Sequence, residues 1–285
     1  MTRALTVPCG TSSRTSQNPM LTDAHCHPSD LRIRLPEAEA ERRALGVACA
    51  ASAWNQEQFE YHEQVAAQAR ADGAPPIILC FAVHPQLPAT EPYAEKLLSL
   101  HCSLLTLFKN RLDAVGETGF DLYDAGFRAT EALQDELFAA HVSLALEQGL
   151  PLVLHIRRAM HKVFAHTRAL KRLPAVIFHS WSGTLGEGEA LLRRGIKAYF
   201  SFGAPLLLNH KEAIRSWAQF PANRLLLETD APYQPLRGAP FSRWGDLPVL
   251  LQGAACLRKG NSGGKAEELE ALIEGNFYQA YGLRN

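Results

Sequence analysis

The chain has no surplus of charge. Its 285 residues carry 29 lysines and arginines against 29 aspartates and glutamates, and the sequence pI is near 7.2. This balance excludes a scaffold that coats long duplex through a global basic field, but not an enzyme that acts on a strand end through a small charged pocket. Long apolar runs are also missing. None approaches the ~20 residues of a bilayer span, so no membrane association is expected. The opening stretch "MTRALTVPCGTSSRTSQNP" lacks the continuous apolar core of a secretory signal. The six cysteines form no CxxC pair, and Cys26, Cys49, Cys80 and Cys102 lie in apolar or helical-looking segments. That usage fits reduced, buried thiols in a cytoplasmic protein rather than a disulfide framework. No glycine-rich phosphate fingerprint follows the first strand, and no low-complexity tract or Pro/Ser/Gly-rich linker divides the chain.

What is present is an alternation. Residues 1–19 are rich in Ser and Thr and without periodicity, which reads as a disordered tail, with Met20 as the expected physiological start. From there, eight short apolar runs recur: "MLTDAH", "GVACAASA", "PIILCFAV", "LDAVGET", "LPLVLHI", "AVIFHSW", "IKAYFSF" and "RLLLETD". Near-continuous apolar runs are the signature of parallel strands buried on both faces. Between them lie segments with apolar residues at three- and four-residue spacing, such as "ATEALQDELFAAHVSLALEQG", which ends on Gly149 as a helix C-terminus should. Eight strand–helix units without a linker predict a single-domain (β/α)8 TIM barrel over residues 20–285, closed by an amphipathic helix in "KAEELEALIEGNFYQAYGL".

A barrel of this kind places its chemistry at the C-terminal ends of the strands. Six of the eight ends carry polar residues: His25 and His27, His84, Glu117 and Asp121, His155 and Arg157, His179, and Glu228 and Asp230. In extended backbone, alternate side chains share a face, so His25 pairs with His27, His155 with Arg157, and Glu228 with Asp230, while Cys26 faces away. Four imidazoles with Glu117 and Asp230 make six candidate ligands. That is more than one tetrahedral ion takes and is suited to two divalent metal ions. Asp230 is the candidate general base, and Arg157 is either a phosphate ligand or an outward surface arginine. Six basic residues lie between Arg157 and Arg172 without an acid among them, either a solvated helix face or a rim for nucleic acid. Trp181 and Tyr233 follow ligand positions, where they either stack on a terminal base or pack the loop layer.

In chain order, "TDAHCH", "GETGFD", "LPLVLHIRRA", "FHSWSG" and "LLLETDAPY" resemble the motifs of the TatD family of metal-dependent deoxyribonucleases, relatives of the amidohydrolase barrels, and "GNFYQAYGL" resembles that family's closing helix. The resemblance covers residues 20–285. It implies that His25, His27, Glu117 and Asp230 bind one metal, that Glu117, His155 and His179 bind a second with Glu117 bridging, and that His84 lies near the phosphate. Arg158 stands where the family usually has an acid, "HSWSG" replaces "HCFSG", Phe120-Asp121 replaces "LD", and "RGAPFSRWGDLP" replaces the usual loop after strand eight. None of these departures removes an expected ligand; they bear on substrate preference.

The reaction expected is hydrolysis of phosphodiester bonds in a nucleic acid, at strand ends, by Glu117, Asp230 and two divalent ions (Mg, Zn or Mn), with no obligate protein partner. Two other classes stay open on the same residues. One is an amidohydrolase or lactonase, or an esterase acting on aminoacyl-tRNA. Many amidohydrolase barrels bridge their metals with a modified lysine at strand four, and "RLDAVGETGFD" contains no lysine. The other is a non-catalytic metal-binding barrel.

Overall fold

The structure, a computed structural model, describes residues 19–90, 110–262 and 266–283. The tail expected at residues 1–19 falls outside this range except for Pro19, as do Cys9 and Cys102. Eight parallel strands lie side by side in sequence order: β1 (Thr22–Cys26), β2 (Ala48–Ala53), β3 (Ile77–Phe81), β4 (Ala114–Asp121), β5 (Leu152–Arg157), β6 (Val176–Phe178), β7 (Ala198–Phe202) and β8 (Leu225–Leu227). Residues just past β8 return to β1: the His27 amide donates to the Ala231 carbonyl at 2.8 Å and the Asp230 amide to that of His25 at 3.0 Å. The sheet therefore curls into the expected (β/α)8 barrel, and each of the eight sequence runs overlaps one strand, with β1, β4 and β5 continuing past the end of theirs, to Cys26, Asp121 and Arg157.

Neighbours, not local preference, impose some of these strands. β2 is "ACAASA", poor in the β-branched and aromatic residues that strands favour, yet all six residues are buried. Ala48 and Ala50 face the barrel interior with Ile78, Cys80, Val153, Ile177, Tyr199 and Leu226. Cys49, Ala51 and Ala53 face the outer layer, which Phe59, Ala66 and Ala69 of the helix Gln56–Ala71 help to fill. Two register shifts fall at His25 and Glu117: one in β1 between Asp23 and Cys26, another in β4 between Val115 and Thr118. The first explains why Ala24 lies in the interior cluster while Cys26, two residues on, lies in the outer one.

The expected closing helix, Ala266–Ala280, seals the N-terminal end. Its Phe277, followed by Tyr281, pushes into the interior beside Ala24, Ala48 and Ala114, and the Tyr281 hydroxyl donates to the Ala24 carbonyl at 2.7 Å. The helix Glu131–Gln148 ends, as its sequence predicts, on Gly149 in left-handed conformation (φ 65°). Among the described residues no helix is long and apolar enough to cross a membrane. Cys26, Cys49 and Cys80 are free and buried, and Cys256 is free and exposed.

Two glycines let β4 approach β5: a Cβ on Gly116 would lie 2.5 Å from Val153 Cβ, and Gly119 is tighter still. Gly119 (φ 139°) pairs with His155, and a Cβ there would lie 2.2 Å from the His155 carbonyl oxygen. Gly119→Ala is expected to destabilise the fold by on the order of 3 kcal/mol. Gly275→Ala, in the helix Ala266–Ala280 with open space around it, is expected to stabilise by about 0.5–1 kcal/mol. Denaturant unfolding of both variants measures the two signs; a neutral Gly119→Ala would show that β4 has room to move.

Candidate functional site

Glu117 is the middle of the mouth, and its two carboxylate oxygens face different sets of imidazoles. Oε2 lies 3.0 Å from His25 Nε2 and 3.5 Å from His27 Nε2. These two nitrogens are 3.1 Å apart, and each lies near Asp230 Oδ1, at 3.6 and 3.5 Å. Oε1 lies 2.8 Å from His179 Nε2, 2.9 Å from His155 Nδ1 and 3.1 Å from His84 Nε2, with His155 Nδ1 and His179 Nε2 3.3 Å apart. All six residues expected as ligands are brought together, from β1, β4, β5 and the turns after β1, β6 and β8.

The donor chemistry fits divalent cations. Metal–nitrogen bonds of about 2.0–2.1 Å in a tetrahedral site put donors roughly 3.3 Å apart, which is the spacing found within each set. Among the described residues, three overlapping groups could hold an ion: His25, His27 and Asp230; His25, Glu117 and His179; and His84, Glu117 and His155. Such crowding of lone pairs is unfavourable until a proton or a metal sits between them.

A second tier of side chains aims these rings. Asp121 Oδ2 accepts from Gln86 Nε2 at 2.7 Å and faces His155 Nε2 at 3.1 Å, so the proton of a neutral His155 sits on Nε2 and its Nδ1 lone pair points at the Glu117 side. Asp121 Oδ1 takes the Tyr123 amide at 2.9 Å. Glu228 Oε1 accepts the Ser180 amide at 2.7 Å and lies 3.4 Å from His179 Nδ1, while its Oε2 is buried with no hydrogen-bond partner among the described residues. Ser52 Oγ is 3.3 Å from His25 Nδ1. Asp230 Oδ2 accepts from Gln234 Nε2 at 2.8 Å. Asp23 takes the Thr229 amide and hydroxyl, at 2.9 and 2.6 Å, and thereby pins the turn after β8 to β1.

Charge follows from this packing. Burial alone would raise the Glu117 carboxyl, but His179, His84 and His25 outweigh it and hold the group well below the ordinary range. Asp230 goes the same way: burial opposes ionisation, and the bond to His27 with the charge of His179 overcomes it. Burial also works against charge on His179, His155 and His27, yet the carboxylates carry all three above an ordinary imidazole, His179 furthest. Burial wins at His25 and His84, which are lowered. Away from the ligands, burial pushes Asp23 up to about 7.

Sequence patterning misplaces or misses several features. Glu228 and Asp230 do not share a face through strand alternation, because β8 ends at Leu227 and Asp230 turns into the site with φ 50°. Trp181 is 5% exposed, packed on Phe178 and Phe200 with its indole N–H donated to Ser216 Oγ, which favours loop-layer packing over base stacking. Tyr233 is 59% exposed, edge-on to His27, with its hydroxyl donating to Asp30. Of the basic run, Lys162 is neutralised by Glu131 and Asp135, whereas Arg157 stays at the mouth, 3.3 Å from Asp121 Oδ2. Patterning does not mark Asp23, Ser52, Gln86 or Gln234. Of these, only Asp23 carries a signal, lying two residues before His25 on an apolar strand. The mouth opens into a cavity of about 890 Å³ whose wall includes ligand candidates, Arg157, Trp54 and Leu87.

Comparison with known proteins places this geometry. The pattern of the family described as TatD related DNase matches residues 22–282. The chain is 35% identical over 186 residues to a 3'-5' ssDNA/RNA exonuclease TatD of Edwardsiella piscicida, covering 60% of this chain and 66% of that protein. It is 32% identical over 179 residues to an uncharacterized metal-dependent hydrolase TatD of Mycobacterium tuberculosis, covering 61% and 66%. Each match thus spans just under two thirds of the relative's length. In three dimensions it is similar to YjjV, a TatD homologue from Escherichia coli K12, with a TM-score of 0.73 at 24% identity over 93% of this chain and 98% of that one. An eight-stranded barrel with this family's sequence pattern running from Thr22 in β1 to Gly282, just past the closing helix, belongs to the TatD related DNase family.

Proposed function

We propose that the chain is a metal-dependent phosphodiesterase that removes nucleotides from the end of a DNA or RNA strand. The observation that carries this reading is the division of the Glu117 oxygens between two imidazole sets, one completed by Asp230. We assign His25, His27, Asp230 and Glu117 to one divalent ion, and His155, His179 and Glu117 to a second. The imidazoles favour zinc, and a phosphate substrate also suits magnesium or manganese. When bound, such ions supply Lewis acidity toward a phosphoryl oxygen and lower the pKa of water.

The chain's own groups complete the chemistry. Asp230 is kept ionised and held by Gln234, so it is suited to accept the proton of the attacking water. Arg157, half in solvent at the cavity wall, binds a phosphate oxygen through its planar fork. His84 accepts the Gln86 amide on Nδ1 at 3.2 Å, so a neutral ring turns Nε2–H toward Glu117 and the cavity. There it steadies Glu117 and reaches the phosphate side. The names of the relatives, exonucleases on ssDNA and RNA, support this substrate class. The buried free thiols support a reducing, cytoplasmic setting.

End-labelled single-stranded DNA and RNA, incubated with metal-reconstituted protein, are expected to shorten one nucleotide at a time. Glu117→Ala is expected to lose at least about 100-fold in kcat/KM. Equal activity in the variant removes Glu117 from its bridging role; cleavage of amides or lactones but of no oligonucleotide hands the site to an amidohydrolase reaction.

Metal uptake should be coupled to protons. His27, His155 and His179 bind protons more tightly than free imidazole in the metal-free protein, and a cation needs their lone pairs. Affinity is therefore expected to climb as pH rises above the ordinary imidazole value of about 6.5 and to collapse below it. Titration calorimetry in buffers of different ionisation heat should show net proton release; none released would contradict the assignment.

Asp121→Asn puts an amide where His155 Nε2–H needs an acceptor. A loss of about 10–100-fold in metal affinity is expected, with the fold retained. Unchanged affinity would mean that His155 keeps its orientation without Asp121.

A further inference from the structure

Beside the ends of β4 and β5 lies a group of cations that the proposed hydrolysis uses only in part. The guanidinium carbons of Arg157 and Arg158 sit 4.2 and 4.5 Å from the centre of the Tyr123 ring. Arg158 Nη1 donates to the Tyr123 carbonyl at 3.3 Å, and Arg128 Nη1 donates to the carbonyls of Tyr123 and Leu122 at 3.0 and 3.2 Å. Arg157 Nη1 is held by Asp121 at 3.3 Å. Among the described residues these Nη1 contacts are the only hydrogen bonds of the three side chains, so their Nε and Nη2 donors have no protein acceptor there. Arg128, Arg158 and Tyr123 are exposed.

The balance of charge here is odd for a neutral chain. Of the three guanidiniums only Arg157 meets a carboxylate, Asp121, which also serves His155 and Gln86. The nearby Asp124 spends Oδ1 on the Phe127 amide. Arg158 adopts φ 55°, a left-handed conformation that a non-glycine residue holds only under constraint, and in it the side chain reaches Tyr123. Stacked or anchored by one nitrogen and otherwise unpaired, these planar forks match a phosphate diester. Their continuity with the cavity runs through Arg157, which lines it.

We propose that Arg128 and Arg158 on Tyr123, continuing outward from Arg157, form a strand-holding site for the phosphate next to the one at Glu117, which makes the enzyme prefer polynucleotide strands over isolated diesters. The proposal rests on the phosphodiesterase reading and deepens it. Because the contacts go to phosphate, the preference is for chain length and not for base sequence.

The test uses the exposed pair Arg128→Gln/Arg158→Gln in the full chain and leaves Arg157 intact. In EDTA, binding of a fluorescent 20-nucleotide oligothymidylate is expected to weaken about 10-fold at low salt. The slope of log K against log salt should become shallower by about 1.4, as for two lost phosphate contacts on a single strand. With metal restored, kcat/KM on the oligonucleotide should fall about 10-fold, mainly through KM, while hydrolysis of bis(4-nitrophenyl) phosphate stays within about twofold of the parent. Unchanged affinity and slope would overturn the proposal, as would equal losses on both substrates. If the parent protein cleaves neither substrate, the phosphodiesterase reading falls, and the metal-free binding series still decides whether the arginines hold a strand.

Discussion

The mouth of this barrel depends on a single buried carboxylate being reached from two sides. Glu117 stands on β4, and the rings that face its two oxygens come from β1 and the turn after it on one side and from β5 and the turns after β3 and β6 on the other. Desolvating an isolated carboxylate costs several kcal/mol, so Glu117 is tolerable at 5% exposure only because positive charge or N–H groups surround it. That surrounding exists only if the sheet closes. Closure is local in its chemistry: Asp23 holds Thr229, His27 holds Ala231, and His25 holds Asp230. A network spanning about two hundred residues of sequence is thus fixed by a handful of bonds across one seam.

Much of this was legible in the sequence because each part obeys a short-range rule. Strands buried on both faces must be apolar throughout, so a histidine or glutamate at a strand end stands out, and His25, Glu117, His155 and His179 did. Legibility fails where the backbone leaves the regular period. Asp230 follows a strand only three residues long and enters through a left-handed turn, so alternation described its neighbourhood wrongly although it pointed to the residue itself. The shift inside β1 likewise breaks the phase between Ala24 and Cys26. Supporting residues were harder still. Ser52, Gln86 and Gln234 have ordinary chemistry and ordinary spacing, and their meaning arises only from what the fold sets beside them.

Trp181 shows the same limit from the other direction. Its position after His179 fits a stacking platform as well as a packing residue, and periodicity does not separate the two. The decision lies in the aromatic layer outside β6 and β7, where Phe178, Phe200 and Phe220 leave a slot that the indole fills while its N–H finds Ser216. A buried tryptophan with a satisfied polar atom is a stable arrangement, and its loop then becomes a rigid support for His179 and Ser180.

The plug at the opposite end has a consequence for traffic. With Phe277 and Tyr281 packed into the interior and Tyr281 tied to Ala24, the barrel is a blind well and not a tunnel. Under the proposed strand-end reaction, a polymer entering it has nowhere to thread, so whatever is cut off must back out past the segment that remains. Each cycle of that reaction then includes a retreat, and the speed of that exit, set by how tightly the rim grips, becomes a candidate bottleneck.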